Sequence, residues 1–134
     1  MIELILNKIK VDDTRGENVI VFREKEGTRF LPIVIGVSEV QSIKMHLAGV
    51  KPPRPLTHDL SLEILKPLRI RLESVWIDKI EQGTFFAKLN LVREAGDRFQ
   101  IDARPSDGAA LALRAGAPVF ASEEVMGQAS TVQV

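Results

Sequence analysis

Apolar positions along the chain change their period several times, and each change marks an element. Residues 2–11, Ile-Glu-Leu-Ile-Leu-Asn-Lys-Ile-Lys-Val, are rich in aliphatic and β-branched side chains and predict a strand. Asp12-Asp13-Thr14-Arg15-Gly16 predicts a turn, Val19–Arg23 a second strand, Glu26-Gly27 another turn and Arg29–Ile35 a third strand. The connections are too short for crossovers, so these strands should form an antiparallel meander. Pro32 has no N–H to give to a ladder, which places it at an edge or a bulge.

After Gly36-Val37 the period becomes helical. Ser38 and Gln41 fit a capping box, Val40, Ile43, Leu47 and Val50 form one apolar stripe, and Gly49 is a stop signal. Glu39, Ser42 and His46 fall along one edge of that stripe, beside the buried face, where there is room for a cleft. Lys51-Pro52-Pro53-Arg54-Pro55 must run extended. A short helix is expected from Asp59 to Lys66, burying Leu60 and Ile64 and ending at Pro67. Two long strands follow: Ile70–Ile80, then a strand in which Phe85, Ala87, Leu89 and Leu91 alternate with more polar positions, joined by Glu81-Gln82-Gly83. Glu94-Ala95-Gly96-Asp97 turns into a further strand, Phe99–Ala103. An alanine-rich helix spans Asp107–Ala115, capped by Gly116 and stopped by Pro118. Val119-Phe120 reads as a short strand and Ser122–Met126 as a last helical turn. The expectation is one α+β domain over residues 1–126, a mostly antiparallel sheet of six to seven strands with three main helices. Residues 127–134 read as a weakly ordered tail.

Composition narrows the classes. The chain has 134 residues, 45% of them hydrophobic, enough for one core. Lys plus Arg and Asp plus Glu both number 18, so net charge gives no support to a nucleic-acid partner, although it leaves room for a local basic patch. With no cysteine, disulfides, thiolate metal sites and cysteine nucleophiles are excluded. Two histidines are too few for a His-rich zinc site. The N-terminus carries an early acid and does not read as a signal peptide, and the longest apolar run, Phe30–Val37, is too short to span a bilayer. A cytoplasmic protein without membrane contact is expected. An antiparallel meander with apolar edges favours a homo-oligomer.

Two polar motifs hold the candidate chemistry. In Arg54-Pro55-Leu56-Thr57-His58-Asp59, an Arg held between prolines is a pre-organised fork for phosphate or carboxylate. His58 exchanges protons near neutral pH, and Asp59 orients that imidazole or binds a hard cation. In Asp102-Ala103-Arg104-Pro105-Ser106-Asp107, Arg104 precedes a helix N-terminus, a natural phosphate site. Each motif also has a purely structural reading. Thr57, Asp59 and Ser106 are good N-caps, Asp107 and Glu39 suit the helix dipole, and Asp102 with Arg104 is a plausible ion pair. His46 reads as a partly buried packing residue. No Walker loop, Gly-x-Gly-x-x-Gly, His-Glu-x-x-His or Gly-x-Ser-x-Gly element is present.

Together with Leu31-Pro32-Ile33-Val34-Ile35-Gly36, Glu39, Gly83-Thr84-Phe85-Phe86-Ala87, Gly108-Ala109-Ala110-Leu111-Ala112-Leu113 and Ala117-Pro118-Val119-Phe120, these motifs resemble the bifunctional nuclease domain family. The resemblance runs to about Met126. Gly108 stands where the family often has Ala, and Val40 where a smaller Ala is common; the further C-terminal module of plant relatives is not expected here. The resemblance implies cleavage of both DNA and RNA. In a metal-assisted mechanism Glu39, Asp59, Asp102 and Asp107 would hold Mg²⁺ or Mn²⁺, His58 would act as general base or acid, and Arg54 and Arg104 would stabilise the transition state. The competing reading is a non-catalytic binding or assembly module whose motifs are caps and ion pairs.

Overall fold

Alternating side chains and tight turns build the sheet, and the helices take their places from what the sheet leaves uncovered. In a computed structural model describing residues 1–12 and 14–133, the chain forms seven strands and four helices. In chain order these are β1 (Ile2–Asp12), β2 (Glu17–Glu24), β3 (Phe30–Ile35), α1 (Val37–Leu47), α2 (Thr57–Leu65), β4 (Ile70–Glu81), β5 (Thr84–Arg93), β6 (Arg98–Ala103), α3 (Pro105–Ala115), β7 (Val119–Ala121) and α4 (Glu123–Ala129). Asp13 of the expected turn and Val134 of the expected tail lie outside the described residues.

The strands lie in the order β3-β2-β1-β7-β4-β5-β6. The first three strands form the expected antiparallel meander, and β4, β5 and β6 form a second one. Pro32 sits on β3, an edge strand, opposite Val21, where its missing N–H deprives no further neighbour. Gln82 and Gly83 form the two-residue loop between the paired Glu81 and Thr84, with φ of 50° and 79°. Both central residues at positive φ make a turn whose twist matches the strands it joins.

The three-residue β7 fills the middle of the sheet. It runs antiparallel to β1, through Ile2↔Ala121 and Leu4↔Val119, and parallel to β4, through Val75↔Val119 and Ile77↔Ala121. Its two buried residues, Val119 and Ala121, join a core that includes Ile20, Leu31, Ile43, Val75, Ile77 and Met126.

α3 packs on β4 and β5, and α1 and α2 pack on α3. The small residues of α3 permit the approach: Gly108, Ala109, Ala110 and Ala112 are all buried. A Cβ on Gly108 would stand 2.8 Å from Val75 Cγ1. The glycine at this position, which lowers helix propensity, is therefore set by contact with the sheet.

Several local expectations are corrected. α1 buries Val40, Ser42 and Ile43, whereas Leu47 and Val50 are half-exposed, because its contact with the core ends before its last turn. Its N-cap is Gly36 with no side-chain cap, so Ser38 and Gln41 do not form a capping box. α2 begins at Thr57, and Leu60 and Ile64 are half-exposed while Leu62 and Leu65 pack on the core. The helix carries two apolar stripes, and polar bonds from His58 and Asp59 to α3 decide which one turns inward. Ser106 is the second residue of α3, behind N-cap Arg104 and Pro105. The cap that does form is Ser122, whose Oγ accepts from Val125 N–H at 3.1 Å. α4 runs past Gly127 to Ala129, and Thr131 bridges to Phe30, so residues 127–131 are held more firmly than their composition predicts. Among the described residues no helix is long and apolar enough to cross a membrane.

Candidate functional site

α1, α2 and α3 each carry an acid at the third residue: Glu39, Asp59 and Asp107. An acid there faces the partial positive charge of the helix N-terminus. The N-terminal turns of all three helices contribute to one pocket of about 390 Å³. Ser38, Glu39 and Ser42 line it from α1, Leu56, Thr57 and His58 from the start of α2, and Arg104 and Asp107 from the start of α3. The two polar motifs thus face each other, as a shared site requires.

A continuous polar chain crosses the pocket. Ser42 Oγ lies 2.7 Å from His58 Nδ1, and His58 Nε2 lies 2.9 Å from Asp107 Oδ1. Asp107 also accepts from Arg104 Nε at 3.0 Å, and Arg104 Nη2 donates to Glu39 Oε1 at 2.9 Å. Burial pulls the Asp107 carboxyl upward, but hydrogen bonds from His58 and Arg104 outweigh it and hold it below the ordinary carboxylate value. An ionised Asp107 accepts only, so His58 Nε2 must carry the proton. In neutral His58, Nδ1 is then the free base, and the Ser42 hydroxyl donates to it. Arg104 is 67% exposed on its side chain and keeps Nη1 free of protein partners among the described residues, whereas Glu39 is only 15% exposed. The guanidinium is therefore fixed on one side and open to the pocket on the other.

The remaining candidates go elsewhere. Asp59 does not orient His58: its Oδ1 accepts from Arg114 Nε at 2.7 Å and its Oδ2 from Leu56 N–H at 3.0 Å. The Arg114 hydrogen bond, against a smaller opposing effect of burial, lowers the Asp59 carboxyl below its ordinary value. Asp102 sits on β6 with its side chain 76% exposed, 3.6 Å from Lys88 Nζ rather than paired with Arg104. Arg54 is exposed in the proline-rich loop and makes no hydrogen bond or ion pair among the described residues. His46 is exposed, not partly buried. The four acids expected around Mg²⁺ or Mn²⁺ therefore do not converge. Glu39 and Asp107 share the Arg104 guanidinium, which takes the place a cation would occupy between them. Among the described residues no group of three or more His, Cys, Asp or Glu is placed to hold a metal ion.

Two residues gain importance over the sequence reading. Ser42 lies three positions after Glu39 at the edge of the α1 stripe, and that spacing is its only signal. Arg114 follows Asp107 by two helical turns on α3, on the side that faces α1 and α2.

The family model described as "Bifunctional nuclease domain" matches residues 20–133. Two relatives in Mycobacterium tuberculosis, the uncharacterized proteins MT1877 and Rv1829, are each 42% identical over 121 residues, covering 90% of this chain and 71% of theirs. With both motifs inside the matched span and at one pocket, the chain belongs to the bifunctional nuclease domain family.

Proposed function

We propose that the domain hydrolyses phosphodiester bonds of nucleic acid at the pocket between α1, α2 and α3. The observation that carries this reading is the convergence of three helix N-termini and an open Arg104 on a His58–Asp107 pair. Each N-terminus is worth roughly half a positive charge. Together with Arg104 they offset Glu39 and Asp107 and leave a place for a phosphate anion. Arg104 binds a non-bridging oxygen and stabilises charge as it builds on the phosphorus. His58 Nδ1, released from Ser42, takes the proton of the attacking water; water oxygen bonds to phosphorus and the ester oxygen leaves, protonated by solvent. Asp107 keeps His58 in the tautomer this requires, as a carboxylate does for a catalytic imidazole.

The test is hydrolysis of labelled DNA and RNA by highly purified protein. His58→Ala is expected to lower the rate about 10²–10⁴-fold, the usual worth of a proton-transfer group. Arg104→Ala is expected to cost about 10²–10³-fold. Undiminished hydrolysis in the His58→Ala/Arg104→Ala double variant would assign the activity to a contaminant and sink the proposal. Because the acids do not gather, activity is expected to survive EDTA; loss in EDTA with recovery on Mg²⁺ or Mn²⁺ would mean that they regroup around an ion.

One observation favours the second reading, a binding module: both His58 nitrogens and the Nε and Nη2 of Arg104 are already bonded internally. It gains support if wild-type protein binds oligonucleotides and cleaves none.

A further inference from the structure

The site pocket is the smaller of two adjoining depressions. Met45 and Leu56 form a shared wall, and beyond them lies a groove of about 820 Å³. Its floor is apolar, made by Leu62, Leu65 and Ile70 below Val50, Pro52 and Pro53. Its charged lining is predominantly cationic. Lys51 and Arg71 make no hydrogen bond or ion pair among the described residues, and Lys66 is paired only to Glu63. The two acids that line the groove are both matched, Asp59 by Arg114 and Glu63 by Lys66. Arg71 also lines a third depression, with Arg69, Arg93 and Arg98. A chain that carries no net charge thus has, in Lys51 and Arg71, two cations at this groove without an ion-pair partner among the described residues, next to the pocket that holds Arg104.

We infer that this groove seats a single strand of nucleic acid, with bases against the apolar floor, phosphates on Lys51, Lys66 and Arg71, and one phosphodiester delivered over Leu56 to the site pocket. The inference rests on the proposed phosphodiester chemistry for its destination but on the groove alone for binding. A single strand suits the groove because its unpaired bases can cover the aliphatic floor by hydrophobic contact, without the aromatic stacking that other single-strand sites use, while its backbone tracks the cations. A duplex hides its base faces and would leave the floor wet. An acidic polypeptide would use the cations but has no flat apolar groups for the floor.

The experiment is fluorescence anisotropy of the full chain with fluorescein-labelled oligothymidylate and with a labelled DNA duplex, over a salt series. Single-strand binding is expected to be the tighter. Lys51→Glu with Arg71→Glu is expected to weaken it at least about tenfold and to flatten the log–log salt dependence by about 0.7 for each phosphate no longer neutralised. Lys8→Glu with Lys10→Glu makes the same charge change on exposed positions of β1 and is expected to leave binding intact. Hydrolysis of bis(p-nitrophenyl) phosphate, a diester small enough to reach Arg104 without the groove, separates the two proposals: the groove variants should hydrolyse it at the wild-type rate. Tighter duplex binding, equal losses in the two charge-reversed pairs, or displacement of the strand by polyglutamate at matched charge would each overturn the groove assignment. Failure of the wild type to hydrolyse any diester, with the binding pattern as described, would overturn the catalytic reading and leave the groove standing.

Discussion

A guanidinium only 6% exposed must find acceptors for its N–H groups, and Arg114 finds three: Asp59 Oδ1, the Ala110 carbonyl and the Ser42 carbonyl. It thereby ties α3 to both α1 and α2, directly behind the pocket. Arg114→Ala would leave a carboxylate and two carbonyls short of a donor. Because Asp59 keeps a third of its side chain in water, the expected loss is about 2–3 kcal/mol, below that of a fully buried pair. Urea denaturation checks it; a loss under about half a kcal/mol would mean that Arg114 does not tie the helices together. The same carboxylates set the acid limit of stability. Asp59 and Asp107 both titrate lower in the fold than in the unfolded chain, so their contribution is whole above the ordinary Asp value of 3.8 and is lost as pH falls below it through the lowered native values. Thermal melts from neutral pH to about pH 3 should show this fall, and Asp107→Asn should make it shallower. At this scale the sequence already held Glu39, His58, Arg104 and Asp107 as candidates. It could not pair them, since Asp59 and Asp107 are chemically equivalent partners for His58 until the helix packing chooses between them.

Elements respond to distances that no propensity scale contains. On an exposed helix Gly→Ala would add about 1 kcal/mol. At Gly108 the new Cβ would press on Val75 Cγ1 of β4, and the expected net effect is a loss of about 1–3 kcal/mol. Gly108→Ala combined with Val75→Ala should recover part of that loss in a double-mutant cycle, and additive losses would show that the clash with Val75 is not the cause. The elements themselves were largely legible. All seven strands, β7 included as a short one, follow from apolar runs and turn residues, and α3 from its capping glycine. Two things were not. The inward face of α2 depends on bonds to residues far along the chain, and β7, at three residues, has no pattern long enough to mark it as central.

At the scale of the molecule, β7 is the only link between the two meanders within the sheet among the described residues. A chain ending at Ala115 keeps both meanders and the three site helices but loses that link. It is expected to lose cooperative thermal unfolding, read by circular dichroism at two wavelengths. A single sharp transition would show that helix packing alone joins the halves. The charge balance of the whole molecule was similarly uninformative: a total of zero conceals a groove in which four cations outnumber two acids.

The position of β7 in the chain also orders the assembly of the domain in time. Both meanders are complete by Ala103, yet the inner edge of each, β1 in the first and β4 in the second, stays unpaired until residues 119–121 are available to both. During synthesis from the N-terminus those inner edges stand open together and free to pair with another chain. Speed of closure at β7, more than the final stability of the sheet, would then decide how much newly made chain is lost to aggregation.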